Sequence, residues 1–539
     1  MDTRWTPAAQ SEATGGLPAD VLTRIFSYLF WPGTQLPAHQ ALIPALHTSH
    51  RWRRRAARLF YSTVTIGHPA SNVRLVLESG YAPRASHLVV HSELAPEQIA
   101  TLLMAAFSRF EWAGIHTLCF VHLWARPMWL DEGITRVNQL LAKSLPNLTR
   151  ITAISGTQDS FGLFILDDLL AARAPQLTEL VVRSPRELSL GVHELTKRVT
   201  KLVIWAAGGG RHGYEDDGED KSPIPPLHSM PRICAQPLVE LELGPVAPDN
   251  IWFPFFPARD TYMVEFTCLR SLKLIFSSSL LLASDPEKHL NGKTSSSVYN
   301  APVFPVLESL MLTAYPHDIV LFLENFPRAQ LRRLHLVRCP NSLSSLSFAP
   351  FPRLTDVHID AAHTDKVVAH LLQAPGIATV KLTGDFARPT EMPSDFGPAT
   401  IQKLTLKMGL RLIECEKLLV GLPRLRSLDV VVTECVTKAH EALSRSARRG
   451  RRLKEQRGTG WRLSSSLEVV LFRFAWLGGR HLRAVRKAAW IIARVPSLLC
   501  VAVESEFAPM LRGALSGVRE NASADIAHLE HLRVVDIND

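Results

Sequence analysis

Residues 307–312 read LESLML, and residues 331–336 read LRRLHL. The same LxxLxL spacing recurs along the chain. Between Leu310 and Leu428 its central residue repeats at intervals of 24, 23, 23, 24 and 24 residues. A fixed period of this length is typical of stacked repeats that each contribute one strand, because no single copy can bury its own apolar face. The pattern therefore predicts a solenoid in which alternate leucines point into a shared core.

Sixteen copies of the pattern can be found. Fourteen clear copies begin at residues 148, 177, 199, 238, 269, 307, 331, 354, 377, 401, 425, 467, 498 and 529, and two weaker ones begin at 85 and 115. Helical patterns lie between them, and several end at a proline, which cannot continue a helix. The helical patterns we single out are 95–109, 159–173, 317–326, 365–374 and 414–422. The predicted fold class is α/β, a parallel sheet plus helices.

Residues 63–539 resemble leucine-rich-repeat proteins in this pattern. The asparagine that usually closes each repeat is largely missing, although Leu334–Cys339 has the cysteine variant, so the repeats are irregular. Three insertions lengthen the period, at 207–236, 283–302 and 440–463, and their glycine, proline and charged residues predict surface loops. We expect one irregular leucine-rich-repeat-like solenoid with these loops.

A different pattern precedes the repeats. In the run LPADVLTRIFSYLF (17–30), apolar residues recur at helical spacing from Val21 to Leu29, and Pro32-Gly33 stops the helix. A second helical element follows around residue 45 and a third around residue 58. The β-branched run Ser62–Ile66 predicts a short strand.

This N-terminal stretch resembles the F-box, through the LPxDVLxxIFSYL run at 17–29 and Ser49, Arg51 and Trp52 further on. We assign 14–62 to it and expect 1–13 to be a disordered N-terminus. The resemblance implies docking on a Skp-type adaptor, and through it on a cullin, within a cullin–RING ubiquitin ligase. The residues it implies as adaptor contacts are Leu17, Pro18, Leu22, Ile25 and Leu29. An alternative is that these helices merely cap the repeats.

Composition limits the class of protein. No run approaches the roughly 20 apolar residues that a membrane helix needs, and residues 1–16 contain no apolar segment of a secretory signal. The seven cysteines are scattered singly, which is typical of reduced thiols. We therefore expect a cytoplasmic and/or nuclear protein with no membrane partner.

The net charge of +10 comes from two short basic segments. Five arginines lie in 51–58, and eight basic residues with one acid lie in 444–462; without these two segments the chain is slightly acidic. The run Arg448–Lys454 fits a nuclear-import or nucleic-acid segment, and equally a solvated linker. With only Trp461 as a nearby aromatic residue, stacking on single strands is not favoured.

No catalytic motif is found. The chain has no GxSxG, HExxH or CxxC, and Gly208–Gly210 lacks the context of a phosphate-binding loop. The acidic run at 215–220 does not have calcium-loop spacing. We therefore expect no enzyme activity, no cofactor and no metal, with an enzyme as a remote option.

Residues that flank the buried pair of each strand should face the concave side of the solenoid. Examples are Glu179, Val181, Lys201, Trp205, Lys273, Arg333, His335, His358, Lys381, Lys403, Lys407 and Asp429. Five of them form a candidate substrate-binding patch for an acidic or phosphorylated partner: Arg333, His335, Lys381, Lys403 and Lys407. Asp356 and Asp360 lie among them, which also fits an ordinary mixed surface.

The preferred hypothesis is a non-catalytic substrate-recognition subunit of an SCF-type ubiquitin ligase. Its F-box would dock on the adaptor, and its solenoid would hold an unknown protein substrate. Two alternatives come from other classes. One is a solenoid interaction scaffold outside the ubiquitin system. The other is a nuclear nucleic-acid-associated protein that uses 444–462.

Overall fold

The structure is a computed structural model of the 539-residue chain. It describes residues 56–57, 60–68, 71–79, 85–91, 94–109, 112–121, 132–154, 176–183, 198–205, 237–246, 265–276, 303–314, 319–324, 326–339, 346–360, 365–374, 376–384, 392, 400–433, 466–474, 481–521 and 528–537. The chain divides into two compact units, 1–238 and 239–539.

The described part of the first unit contains six strands and three helices. The strands are β1 (Thr63–Ile66), β2 (His87–His91), β3 (Thr117–Val121), β4 (Arg150–Ile154), β5 (Glu179–Arg183) and β6 (Lys201–Trp205). The helices are α1 (Val73–Ser79), α2 (Pro96–Phe107) and α3 (Glu132–Ser144). Each strand pairs in parallel with the next one in sequence, from β1 to β6.

The described part of the second unit contains eleven strands and five helices. The strands are β7 (Glu240–Val246), β8 (Ser271–Phe276), β9 (Ser309–Thr313), β10 (Arg333–Val337), β11 (Asp356–Asp360), β12 (Thr379–Thr383), β13 (Lys403–Leu410), β14 (Ser427–Val432), β15 (Val469–Phe474), β16 (Cys500–Val503) and β17 (Arg533–Asp536). The helices are α4 (Ile319–Leu323), α5 (Asp365–Gln373), α6 (Leu412–Gly421), α7 (His481–Ala493) and α8 (Ala508–Asn521). From β7 to β17 each strand again pairs in parallel with its successor.

The repeat pattern explains this arrangement. In LESLML, Leu307, Leu310 and Leu312 are all 0% exposed, and Leu310 and Leu312 align with Leu334 and Leu336 of the next strand. Because side chains of a strand alternate between its two faces, an apolar residue at every second position builds one continuous core across the sheet. The predicted α/β class, a parallel sheet plus helices, is confirmed, and the stacked strands are consistent with a solenoid.

The last copy of the pattern is an exception. The sequence predicted Leu532 and Val534 as its buried pair. In the structure Val534 aligns with Val501, and Asp536 aligns with Val503. The strand is therefore offset by two residues, and its side chains alternate between exposed and half-buried.

The helical patterns agree with the structure where they are described. The predicted helices at 95–109, 365–374 and 414–422 correspond to α2, α5 and α6, and that at 317–326 to the shorter α4. The predicted strand at 62–66 is β1. The predicted helix at 159–173 lies outside the described residues.

Several other predictions also lie outside the described residues. They are the disordered N-terminus 1–13, most of the F-box 14–62, and the insertions 207–236, 283–302 and 440–463.

A buried asparagine binds the backbone around β1 through three hydrogen bonds. The Asn72 side chain is 2% exposed, and its oxygen accepts from the Thr65 backbone N–H at 2.8 Å. Its amide nitrogen donates to the carbonyls of Thr63 at 2.9 Å and Phe60 at 3.2 Å. One side chain thus satisfies three backbone groups of buried residues, one just before β1 and two within it.

A buried carboxylate anchors the crossover between β12 and β13. Glu414 of α6 is 2% exposed, and its Oε2 accepts from the Met392 backbone N–H at 2.9 Å. Lys417 Nζ lies 2.9 Å from the same oxygen, and Arg411 Nη2 lies 3.4 Å from Oε1. Two cations and one backbone donor therefore compensate the buried charge.

Candidate functional site

The strands of the second unit leave one face of their sheet accessible. In β8 to β12 the second and fourth residues are buried, whereas the first, third and fifth are mostly half-buried. We call the face formed by the first, third and fifth residues of β7 to β17 the open face. A partner protein can contact these side chains without unfolding the sheet.

In β1 to β6 of the first unit the third residue of each strand is buried, whereas the first residue of β2 to β6 is half-buried. Val89, Cys119 and Val121 on β2 and β3 form a buried cluster, and Val181 on β5 is 5% exposed. Val181 was predicted to face the concave side, and at this level of exposure it is not available to a partner. Its strand reads ELVVR, and a run of apolar residues without alternation is typical of strands that are buried on both faces.

Three of the five predicted patch residues lie side by side on the open face. In the register of β12 and β13, Thr379 is opposite Lys403, Lys381 is opposite Thr405, and Thr383 is opposite Lys407. We call these six residues the Lys/Thr patch. Each ammonium group has a hydroxyl on the neighbouring strand, and the patch contains no carboxylate.

The patch lysines lack ion pairs. Within the described part of the chain, none of Lys381, Lys403 and Lys407 lies within 4.0 Å of a carboxylate oxygen. Lys273 at the β7–β8 end of the same face differs, because its Nζ lies 2.8 Å from Glu242 Oε1. The positive charge of the patch is therefore available to an anionic partner.

The other two predicted residues are set apart. Arg333 and His335 lie on β10, and the acidic strand β11 separates them from β12. His335 Nε2 lies 3.7 Å from Asp356 Oδ1, so this histidine already has a carboxylate neighbour. The structure thus does not bring the five predicted residues into one patch.

His358 adds no positive charge to this region at neutral pH. Its burial lowers the pKa of the ring to about 4, with further lowering by Lys381 and His335. Asp360 and Asp356 act in the opposite direction but do not outweigh the burial. The ring of His335 packs edge-on against that of His358, with centroids 5.5 Å apart.

One part of the open face is apolar, and it was not among the predicted residues. Leu471 on β15, Ala502 on β16 and Val535 on β17 continue the middle row of the face, and Val469 precedes Leu471. We call these four residues the apolar end. The signal was present in the sequence for two of the strands, because the residue between the two buried positions is apolar in VVLF and CVAV, whereas it is polar in RLHL and TVKL. In the last copy the predicted pair Leu532 and Val534 places Arg533 between them, so only the two-residue offset of β17 brings Val535 onto this face.

The described residues contain no cluster of three or more His, Cys, Asp or Glu residues placed to hold a metal ion. No helix in the described ranges is both long and apolar enough to cross a membrane. The predicted adaptor contacts Leu17, Pro18, Leu22, Ile25 and Leu29 lie outside the described residues.

No protein-family model matches the chain, and no curated protein matches it in sequence.

Proposed function

We propose that this chain is the non-catalytic substrate-recognition subunit of an SCF-type ubiquitin ligase, acting in the cytoplasm and/or nucleus. Its N-terminal region would dock on a Skp-type adaptor, and the open face of its second unit would hold the protein substrate. The F-box resemblance of residues 17–52 supports the first half of the proposal. The Lys/Thr patch, with three lysines that lack ion pairs among the described residues, is the observation that carries the second half.

The patch suits a negatively charged side chain. Ammonium groups bind carboxylates and phosphates through charge-assisted hydrogen bonds, and neighbouring threonine hydroxyls supply further donors. Because β12 and β13 are held in register by the sheet, the backbone positions that carry these groups are fixed before an anion binds, and only the side chains must be ordered. An acidic or phosphorylated segment of a protein is therefore the proposed ligand.

The proposed mechanism is positioning. A subunit that holds the substrate beside the ubiquitin-transfer machinery replaces a bimolecular encounter by a reaction at high effective concentration. This requires no reactive group of the chain itself.

Adaptor docking is tested by co-expression with a Skp-type adaptor and affinity capture. Ile25→Asp places a carboxylate in the predicted apolar stripe, which costs several kcal/mol in an apolar contact. Ser27→Asp, on the opposite side of the same predicted helix, is the matched control. We expect wild type and Ser27→Asp to capture the adaptor and Ile25→Asp to lose it. Failure of the wild-type chain to capture the adaptor would contradict the proposal.

Substrate binding is tested by replacing Lys381, Lys403 and Lys407 together with glutamate. The control is Arg486→Glu, which reverses an exposed charge on α7 rather than on the open face. Proteins captured from cell lysate by wild type and by the control, but not by the triple variant, are candidate substrates. Equal capture of every protein by all three forms would contradict a role of the patch.

A scaffold outside the ubiquitin system is the second candidate, because the open face is formed by strands of the second unit and suits a protein ligand whether or not an adaptor binds. It would be favoured if proteins were captured through the Lys/Thr patch while no Skp-type adaptor bound.

A further inference from the structure

The open face changes its chemistry from one end to the other. Beyond the Lys/Thr patch, the apolar end exposes 40% of Val469 and 36% of Val535, with Leu471 and Ala502 half-buried between them. These residues belong to three adjacent strands. Neighbouring apolar side chains that remain accessible on a folded surface are typical of binding sites.

The groups on either side of the Lys/Thr patch limit how a partner can cross it. Asp356 and Asp360 on β11 would repel an acidic segment that extended towards β10. On the other side, Asp429 of β14 is already paired with Arg473 of β15, with 3.3 Å between Oδ1 and Nε. An acidic segment bound to the lysines therefore continues with less repulsion towards the apolar end.

The register of the strands fixes the distance between the Lys/Thr patch and the apolar end. Lys381, Thr405, Asp429, Leu471 and Ala502 lie in one row across five consecutive strands. Neighbouring strands are about 4.8 Å apart, so the step from β13 to the middle of β15 and β16 is roughly 12 Å. An extended peptide that crosses the strands advances about 3.3 Å per residue, so about four residues cover this distance.

The alternation of side chains along the bound peptide further restricts the spacing between its acidic and apolar residues. In an extended peptide, residues separated by an even number of positions project to the same side. A spacing of about four therefore directs both side chains onto the open face. Odd spacings direct one of them into solvent, and a spacing of two reaches only the Asp429–Arg473 pair.

We propose that the ligand is an extended segment of a protein with a phosphorylated or acidic side chain on the Lys/Thr patch and a large apolar side chain, about four residues away, on the apolar end. This inference rests on the proposed function, since it specifies the substrate class of the same face.

The test uses the full chain and short fluorescent peptides with one phosphoserine and one leucine in a background of glycine, serine and asparagine. The spacing between the two residues is varied one position at a time, in both directions. Fluorescence anisotropy should show the tightest binding at a spacing of about four, on one side of the phosphoserine. Replacing that leucine by serine should weaken binding about tenfold, as expected for loss of a partly buried leucine.

Variants of the chain assign the two contacts. Leu471→Ser should abolish the spacing preference but leave the dependence on phosphate. Lys381→Glu combined with Lys403→Glu should remove the dependence on phosphate. Val535→Ser, further along the same row, is a second apolar variant, and circular dichroism checks that each variant remains folded.

The outcomes separate the inference from the proposed function. Phosphate-dependent binding without a spacing preference, or a preference unaffected by both Leu471→Ser and Val535→Ser, would overturn the inference while adaptor capture stands. A spacing preference of about four in a chain that captures no adaptor would support the inference and contradict the ligase proposal. Tighter binding to anionic lipid vesicles than to every peptide, lost in the lysine variants, would identify a membrane surface instead and overturn it.

Discussion

Replacement of Glu414 by alanine should destabilise the second unit more than any loss of a surface ion pair. The carboxylate is 3% exposed as a side chain and holds three donors: the Met392 backbone N–H, Lys417 and Arg411. A buried backbone N–H left without an acceptor costs about 1–3 kcal/mol. Breaking a fully buried ion pair costs about 3–5 kcal/mol.

The cost of breaking the ion pairs of Glu414 is lower than for a fully buried pair. The Lys417 and Arg411 side chains are 45% and 23% exposed, so water replaces part of what the carboxylate supplied. We expect Glu414→Ala to lower the free energy of unfolding by about 3 kcal/mol. Glu414→Gln keeps an oxygen for the Met392 N–H and should lower it by only about half as much.

Glu416 provides the matched control on the same helix. Its carboxylate lies 3.1 Å from Arg494 Nη1, but its side chain is 40% exposed, so Glu416→Ala should cost at most about 1 kcal/mol. The measurement is urea unfolding followed by circular dichroism, since urea leaves the ionic strength unchanged. Hydrogen exchange of the α6 amides assigns the effect to this region. Equal losses for Glu414→Ala and Glu416→Ala would refute the reasoning.

Three further outcomes follow from the structure. Asn72→Ala removes three buried hydrogen bonds to the backbone and should cost about 2–4 kcal/mol in urea unfolding, whereas Arg74→Ala, in a fully exposed pair, should leave the unfolding curve close to that of wild type. Gly67→Ala should cost more than about 3 kcal/mol or prevent folding, because φ is +86° and the new Cβ would lie 2.1 Å from the His91 carbonyl oxygen; near-wild-type stability would contradict this geometry. Burial raises the pKa of the Glu504 carboxyl group above its usual value of 4.5. As pH rises, the unfolded chain therefore loses the carboxyl proton before the folded chain does, and the free energy of unfolding falls between pH of about 4.5 and the raised pKa. Glu504→Gln should flatten that part of the stability–pH curve, and an unchanged curve would argue against the raised pKa.

Local periodicity determined the repeat architecture of this protein. An apolar residue at every second position, repeated every 23–24 residues from Leu310 to Leu428, is sufficient to align strands in parallel and in register. The same alternation identified Lys381, Lys403 and Lys407 as residues of the open face. The position of each strand and the alternation of its side chains therefore follow from the residues of its own repeat, and successive repeats have the same pattern.

Only the tertiary structure decided which of these residues act together. Arg333 belongs to the same predicted set as the patch lysines, yet an acidic strand stands between them, because distances across a sheet depend on strand order and not on residue type. Val181 fits the open-face pattern but is buried, and the Glu414–Met392 contact joins residues 22 positions apart. These properties come from non-local packing, in which the environment of a side chain is set by elements that its own repeat does not encode.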